Sequence, residues 1–173
     1  MTEASEATDD IETVPAGIDA DGVTTWFGDH VVDVAPPLRF ELIAGGHSNL
    51  TFSVTDRDAR RWVLRRPPLR QVLATAHDMG REHRIISALG PTDVPVPPAV
   101  GLCTDESING VPFYVMDFVD GRVVRGAADA AALSPAQRRT AGESLVDVMA
   151  AIHAVDVDAV GLGDLGRKDD YIA

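Results

Sequence analysis

The spacing of apolar positions changes several times along the chain, and each change marks a predicted element. Val23, Trp26, Phe27, Val31 and Val34 recur at helical spacing within residues 22–34, so the spacing predicts a short amphipathic helix there, ended by Pro36-Pro37. Before it, residues 1–20 are polar and acidic with few large apolar groups, and are expected to form a disordered tail. Alternation of apolar and polar positions then predicts strands over residues 39–44, 50–55 and 61–65. The tight turn Gly45-Gly46-His47-Ser48-Asn49 separates the first two, and the polar stretch 56–60 separates the second from the third. Pro67-Pro68 cannot continue a central ladder, so the third strand stops there.

Helical spacing returns after Thr75-Ala76-His77-Asp78, which has a capping pattern, and runs to Leu89, where Gly90-Pro91 is a stop signal. Val94-Pro95-Val96-Pro97-Pro98 reads as extended. Residues 99–103 and 112–119 read as two more strands, joined by a loop whose Asn109-Gly110 is a hairpin turn signal. Asp120-Gly121 breaks the run. Ser134 at an N-cap, Pro135 at the first helical position and Gln137 as capping partner predict a long helix reaching His153. One face of that helix carries Ala141, Leu145, Val148, Met149 and Ile152. The expected fold class is α+β: a five-stranded antiparallel sheet with a helix, then a linker and a long helix. The expected organisation is a tail over 1–20, a main unit over 21–121, and a linker with a helix over 122–173.

Three of these elements have chemical potential. Glu82 shares a helical face with Ile85, Ile86 and Leu89, so its carboxylate is turned toward apolar surroundings and needs a partner. In the third strand Val63 and Arg65 share one face, and Leu64 and Arg66 the other. If Val63 points inward, Arg65 does too and is the natural partner of Glu82. A solvated Glu82, or one paired with Arg81 or Arg84, fits the same residues. Gly45, Gly46, Ser48 and Asn49 form a turn whose backbone N–H groups and hydroxyl suit a phosphate, although a plain β-turn has the same composition. Finally, Phe113-Tyr114-Val115-Met116-Asp117-Phe118-Val119 is an apolar strand entering a linker, either simply buried or offering free backbone groups to a heterocycle.

Composition narrows the field. The net charge of −12 is uneven, because residues 1–33 hold nine acidic groups and no Lys or Arg, which speaks against nonspecific nucleic-acid binding. The single cysteine, Cys103, allows no intrachain disulfide, and the five histidines show no metal-ligand spacing. No leader pattern and no membrane-length apolar run is present, so a cytoplasmic chain with no membrane partner is expected.

The succession Gly-Gly-x-Ser-Asn, Trp-Val-Leu-Arg-Arg-Pro-Pro, Arg-Glu-His-Arg-Ile-Ile-x-Ala-Leu, Val-Pro-Val-Pro, Pro-Phe-Tyr-Val-Met-Asp-Phe-Val-Asp-Gly and Ala-Ile-His-Ala-Val-Asp resembles the aminoglycoside-phosphotransferase (choline-kinase-like) family. It is most like the bacterial phosphotransferases similar to the kinase domain fused to acyl-CoA dehydrogenases in animals. The resemblance covers residues 38–173 and rests on the order of the motifs more than on any one. It implies a two-lobed kinase fold with ATP in the cleft, this chain being the N-terminal lobe and the start of a helical C-terminal lobe. Gly45, Gly46, Ser48 and Asn49 would then lie over the phosphates. Arg65 would stand where most kinases have a strand lysine, keeping the charge but changing the geometry. Glu82 would be its helix partner, Met116 would line the back of the adenine pocket, and Asp117 and Val119 would offer backbone C=O and N–H to adenine.

The family's His-Gly-Asp-x-x-x-x-Asn segment and its later metal-binding Asp do not occur in these 173 residues. His153-Ala154-Val155-Asp156 matches the helix end before that segment and is not read as catalytic. The expectation is therefore the N-terminal portion of an ATP-dependent kinase for a hydroxyl of an aminoglycoside-, choline- or hydroxyacyl-CoA-like substrate. This chain alone would transfer no phosphate, Mg²⁺ would bind only with the remaining lobe, and the uncovered helix face would invite self-association. A non-catalytic nucleotide-binding module and a truncated remnant are the competing readings.

Overall fold

The computed structural model describes residues 14–44, 49–69 and 78–166. The predicted tail thus falls partly outside the described residues, as do Gly45, Gly46, His47, Ser48 and the Thr75-Ala76-His77 part of the capping pattern. Helix α1 (Ala20–His30) precedes the strands β1 (Arg39–Ala44), β2 (Leu50–Thr55) and β3 (Arg61–Arg66). Helix α2 (Met79–Leu89), strand β4 (Ala99–Cys103), the one-turn helix α3 (Glu106–Asn109) and strand β5 (Phe113–Asp117) follow. Helices α4 (Ala127–Ala131) and α5 (Pro135–Ala154) complete the order. The strands form one antiparallel sheet in the order β1-β2-β3-β5-β4.

The alternation of the strands divides the molecule. Phe52 and Val54 of β2, Trp62 and Leu64 of β3, and Phe113 and Val115 of β5 face α1 and form the main core with its Val23, Trp26 and Phe27. Phe27, Phe52, Phe113, Leu64, Val23, Val54 and Val115 are fully buried. Each contributes about 1.5–3 kcal/mol of burial free energy, so this face is where the unit is stabilised. The opposite face of the same strands carries Thr51, Ser53, Val63, Arg65, Tyr114 and Met116, and there α2 approaches. One face of the sheet is therefore core and the other is free to be a site.

Four expectations need correction. The leading helix stops at His30, with Val31 as an extended C-cap, so Val31 reaches the core from the following segment and Pro36-Pro37 is not the terminator. Two adjacent β-branched valines, Val31 and Val32, lower the helix tendency there. Residues 14–20, expected in the tail, are described here: Ile18 and Ala20 pack on the core, and the Arg66 guanidinium donates to the Gly17 carbonyl. The Asn109-Gly110 hairpin turn is instead the end of α3. Asp105 caps that helix by accepting from the Ser107 N–H, and Gly110 ends it at φ +74°, a conformation glycine adopts without strain. The strand bounds also shift, with β3 reaching Arg66 and β5 covering Phe113–Asp117 within the predicted 112–119.

Gly22 has a positional reason. A Cβ there would sit 2.1 Å from the Ile108 carbonyl oxygen, so α1 can approach α3 only with glycine at the crossing. The Asp19 N–H donates to Asn109 Oδ1 at 2.8 Å and fixes the same contact.

Candidate functional site

The site begins with register. Arg65 pairs with Thr51 across β2 and with Tyr114 across β5, so strand pairing alone places these three side chains side by side on the α2-facing surface. Helix α2 brings the fourth. Asp78 caps it by accepting from the Arg81 N–H at 2.9 Å, and Glu82 lies in the first turn on the side facing the sheet. Met79 anchors the helix start by being buried.

These residues close into one network. Arg65 Nε donates to Glu82 Oε2 at 2.8 Å, and Arg65 Nη1 donates to Thr51 Oγ1 at 3.0 Å. The Tyr114 hydroxyl donates to Glu82 Oε2 at 3.1 Å. Asn49 Nδ2 donates to Glu82 Oε1 at 2.7 Å. Both carboxylate oxygens are thus taken, and the charge is matched by a guanidinium. The two side chains are only 29% and 28% exposed, which a carboxylate tolerates when it is paired and hydrogen-bonded. Burial, then the negative charge of Glu82, pushes the Tyr114 hydroxyl well above the ordinary tyrosine value, so it stays a donor.

The arginine divides its donors. Its Nε and one Nη face protein acceptors, while Nη2 has no partner among the described residues. A lysine ammonium is a single point and could not occupy both acceptors in this way while presenting a planar edge outward. Beside the pair a cavity of about 340 Å³ opens, lined by Arg65, Glu82 and Tyr114 on its polar side and by Ile85, Ile86, Pro97 and Met116 on its apolar side. A charged edge beside an apolar recess suits a ligand with an anionic group and a flat or apolar body.

The sequence candidates separate as follows. Arg65 and Glu82 meet, and Val63, on the same strand face as Arg65, is only 7% exposed. The alternative pairing of Glu82 with Arg84 does not occur, since Arg84 binds Asp164 instead. Met116 lines the cavity. Asn49 is buried and bonded to Glu82, so it supports the pair from behind. Asp117 uses its N–H for the Pro98 carbonyl at 2.9 Å, and Val119 lies 65% exposed in the linker with no backbone partner among the described residues. Gly45, Gly46 and Ser48 lie outside the described residues. Thr51 and Tyr114 were missed. Tyr114 reads in sequence as one more apolar strand residue, yet its parity with Met116 and its place opposite Arg65 would have exposed it.

Just past β5, the Arg61 guanidinium lies 3.9 Å over the Phe118 ring and pairs with Asp120, which holds the start of the linker against β3. Beyond it, α5 begins with the predicted capping box of Ser134 and Gln137. Of the expected apolar face, Ala141, Leu145, Met149 and Ile152 are exposed and Val148 is partly covered. His153 lies in the last turn of that helix, which runs to Ala154, and Asp156 accepts from the N–H groups of Asp158 and Ala159, a turn-capping role. Among the described residues no cluster of His, Cys, Asp or Glu is placed to hold a metal ion, and no helix is long and apolar enough to cross a membrane.

Comparison with known proteins gives a consistent picture. Residues 39–173 match the model of a family described as the phosphotransferase enzyme family. The chain is similar to the Arabidopsis thaliana protein IBR3, named for acyl-CoA dehydrogenase, at 36% identity over 141 residues, which is 78% of this chain and 17% of that protein. It is also similar to the mouse acyl-CoA dehydrogenase family member 10, at 38% identity over 79% of this chain and 12% of that protein. A crystal structure from Ralstonia eutropha JMP134, described as a candidate aminoglycoside phosphotransferase, superposes with a TM-score of 0.70 at 38% identity. It covers 86% of this chain and 42% of that one, so the chain spans between 12% and 42% of the length of these three proteins.

Proposed function

Because the chain belongs to the phosphotransferase enzyme family, we propose that it forms the nucleotide-binding side of an ATP-dependent kinase acting on a small-molecule hydroxyl. The observation that carries this reading is the Arg65–Glu82 pair at 2.8 Å, with the outer edge of the guanidinium open beside an apolar recess. In this reading residues 21–121 are the nucleotide-side lobe, and 122–173 are the linker and first helix of a second lobe. ATP supplies the transferable phosphoryl group, and Mg²⁺ joins only where the second lobe provides ligands.

In this reading each site residue has a defined task. Arg65 donates from Nη2 to a phosphate oxygen while Glu82 and Thr51 hold its other nitrogens. Gly45, Gly46 and Ser48 cover the phosphates with backbone N–H groups and a hydroxyl. Val63 and Met116 give apolar walls to the adenine. The Asp117 carbonyl and the Val119 N–H, which has no backbone partner among the described residues, receive its edge. Asn49, first grouped with the phosphate loop, acts instead through Glu82. The exposed face of α5 is where the second lobe packs, and that lobe brings the hydroxyl-orienting Asp and the acceptor site. The acceptor is a hydroxyl compound of the aminoglycoside, choline or hydroxyacyl-CoA kind.

The test is calorimetric titration of the 173-residue chain with ATP, beside an assay for phosphate release. Weak ATP binding that disappears in R65M is expected, with no turnover. Binding that survives R65M removes the phosphate role of Arg65. Turnover by this chain alone removes the assignment of the chemistry to a second lobe.

A further inference from the structure

Helix α2 is held from two sides. Glu82 faces the sheet, and Arg84, two residues on and turned by about 200° around the axis, faces away from it. Arg84 reaches 80 residues along the chain. Its Nη1 donates to Asp164 Oδ2 at 3.0 Å, its Nη2 to Asp164 Oδ1 at 2.6 Å, and Nη2 also donates to the Gly161 carbonyl. This is the two-point guanidinium–carboxylate geometry, with a third acceptor added.

The receiving segment is organised. The Asp156 carboxylate accepts the N–H groups of Asp158 and Ala159, and the Leu162 N–H closes back on the Val157 carbonyl at 2.7 Å. Gly161 stands at φ +75°, in the left-handed region. The segment follows α5, whose own face touches little, so its folded form is tied to α2. Asp164 holds its carboxyl below the usual range through the hydrogen bonds from Arg84, and the Arg84 guanidinium is correspondingly raised, so both stay charged.

We propose that Arg84 and Asp164 are positioning residues: their pairing ties α2 to the turn segment of residues 156–166 and so holds Glu82 against Arg65. A helix of eleven residues with one buried residue, Met79, has little packing of its own to fix its rotation. A link on the outer side supplies that constraint. It also couples the part of the chain after the linker to the charge pair in the cleft. The consequence for nucleotide affinity rests on the proposed phosphate role of Arg65; the structural consequence does not.

Hydrogen exchange read by mass spectrometry on the full 173-residue chain tests this, with R84M, D164N, the double variant and R81M compared. Arg81 sits on the same helix and its side chain has no described carboxylate partner, so R81M controls for lost charge. Amides of residues 82–89 should exchange about 3- to 10-fold faster in R84M and in D164N, with the double variant no faster than either and R81M like the parent. Amides of β2 and β3 should not change. ATP titration of the same variants should show weaker binding in the same rank order. Unchanged exchange in α2, additive effects in the double variant, or faster exchange throughout the sheet would each overturn the proposal. Looser α2 with unchanged ATP affinity, where the parent binds ATP, would break the link from tether to Glu82. Looser α2 in the variants, together with a parent that binds no ATP, would leave the tether standing and sink the nucleotide reading.

Discussion

Phe52 and Leu145 are both apolar residues inside regular elements with clear local signals, yet Phe52 is fully buried and Leu145 is 62% exposed. The contrast extends to their regions. Residues 14–117 place a helix on one face of a five-stranded sheet and bury four phenylalanines, Phe27, Phe40, Phe52 and Phe113, in the core they form. Residues 118–166 form α4 and α5 with a well-made N-terminus, and α5 buries nothing. Capping and periodicity specify that a segment is a helix and which face is apolar. They do not say what covers that face. In the first region the covering surface is in the same chain and the sheet supplies it; in the second the apolar stripe meets no such surface among the described residues.

The contrast can be broken most sharply by truncating side chains on either side of it. Phe52→Ala should cost about 3–5 kcal/mol of unfolding free energy, whereas Leu145→Ala should cost about 0.5 kcal/mol or less. Urea denaturation of both variants checks this, and a large loss from Leu145→Ala would mean that α5 is packed in solution after all. Gly22→Ala should come next, at about 1–3 kcal/mol, because its methyl group meets the Ile108 backbone and α1 must shift. The same substitution at Gly142 in α5, where a Cβ meets nothing, should be neutral or slightly stabilising.

The smallest effect concerns pH. The folded-state pKa of Tyr114 is raised above the ordinary value of 10.0, so the folded form holds its proton more tightly than the unfolded form does. Its contribution to stability is complete below about pH 10 and is lost as pH rises toward the folded value. Tyr114→Phe should therefore flatten the alkaline fall in stability, leaving the share due to buried Cys103, whose thiol burial also pushes up. An alkaline melting series identical in parent and variant would show that the pKa of the Tyr114 hydroxyl is not raised in the folded protein.

Much of this was legible in the sequence, and the parts that were not have specific causes. Strands β1 and β2 have the predicted bounds, but β1 shifts register between Leu42 and Ala44 and leaves Leu42 and Ile43 exposed, which alternation does not foretell. Two periodicities made the Arg65–Glu82 pair one option beside a solvated Glu82 or a pairing with Arg81 or Arg84, and the family resemblance singled it out. The turn at Asn109-Gly110 misled because Gly110 ends a one-turn helix in the same left-handed conformation that a hairpin would use. Helix α4 gave no warning, since Ala127–Ala131 has no apolar period to detect. Tyr114 became visible only with strand order, since β5 reaches β3 across two intervening helices and a strand, and Thr51 only with the register of β2 against β3. The link from Arg84 to Asp164 spans 80 residues and has no local signature at all.

Arg65 and Arg66 are neighbours in β3 whose guanidiniums serve opposite sides of the sheet, one toward Glu82 and one toward the Gly17 carbonyl. Parity therefore links the two surfaces: an insertion or deletion of one residue in the turn before β3 that was absorbed by sliding the strand would exchange both arginines and expel Trp62 and Leu64 together. Length variation at that turn should be tolerated only where it leaves the odd–even phase of β3 intact, so natural variants of this sheet are expected to gain or lose turn residues without any slip of the strand itself.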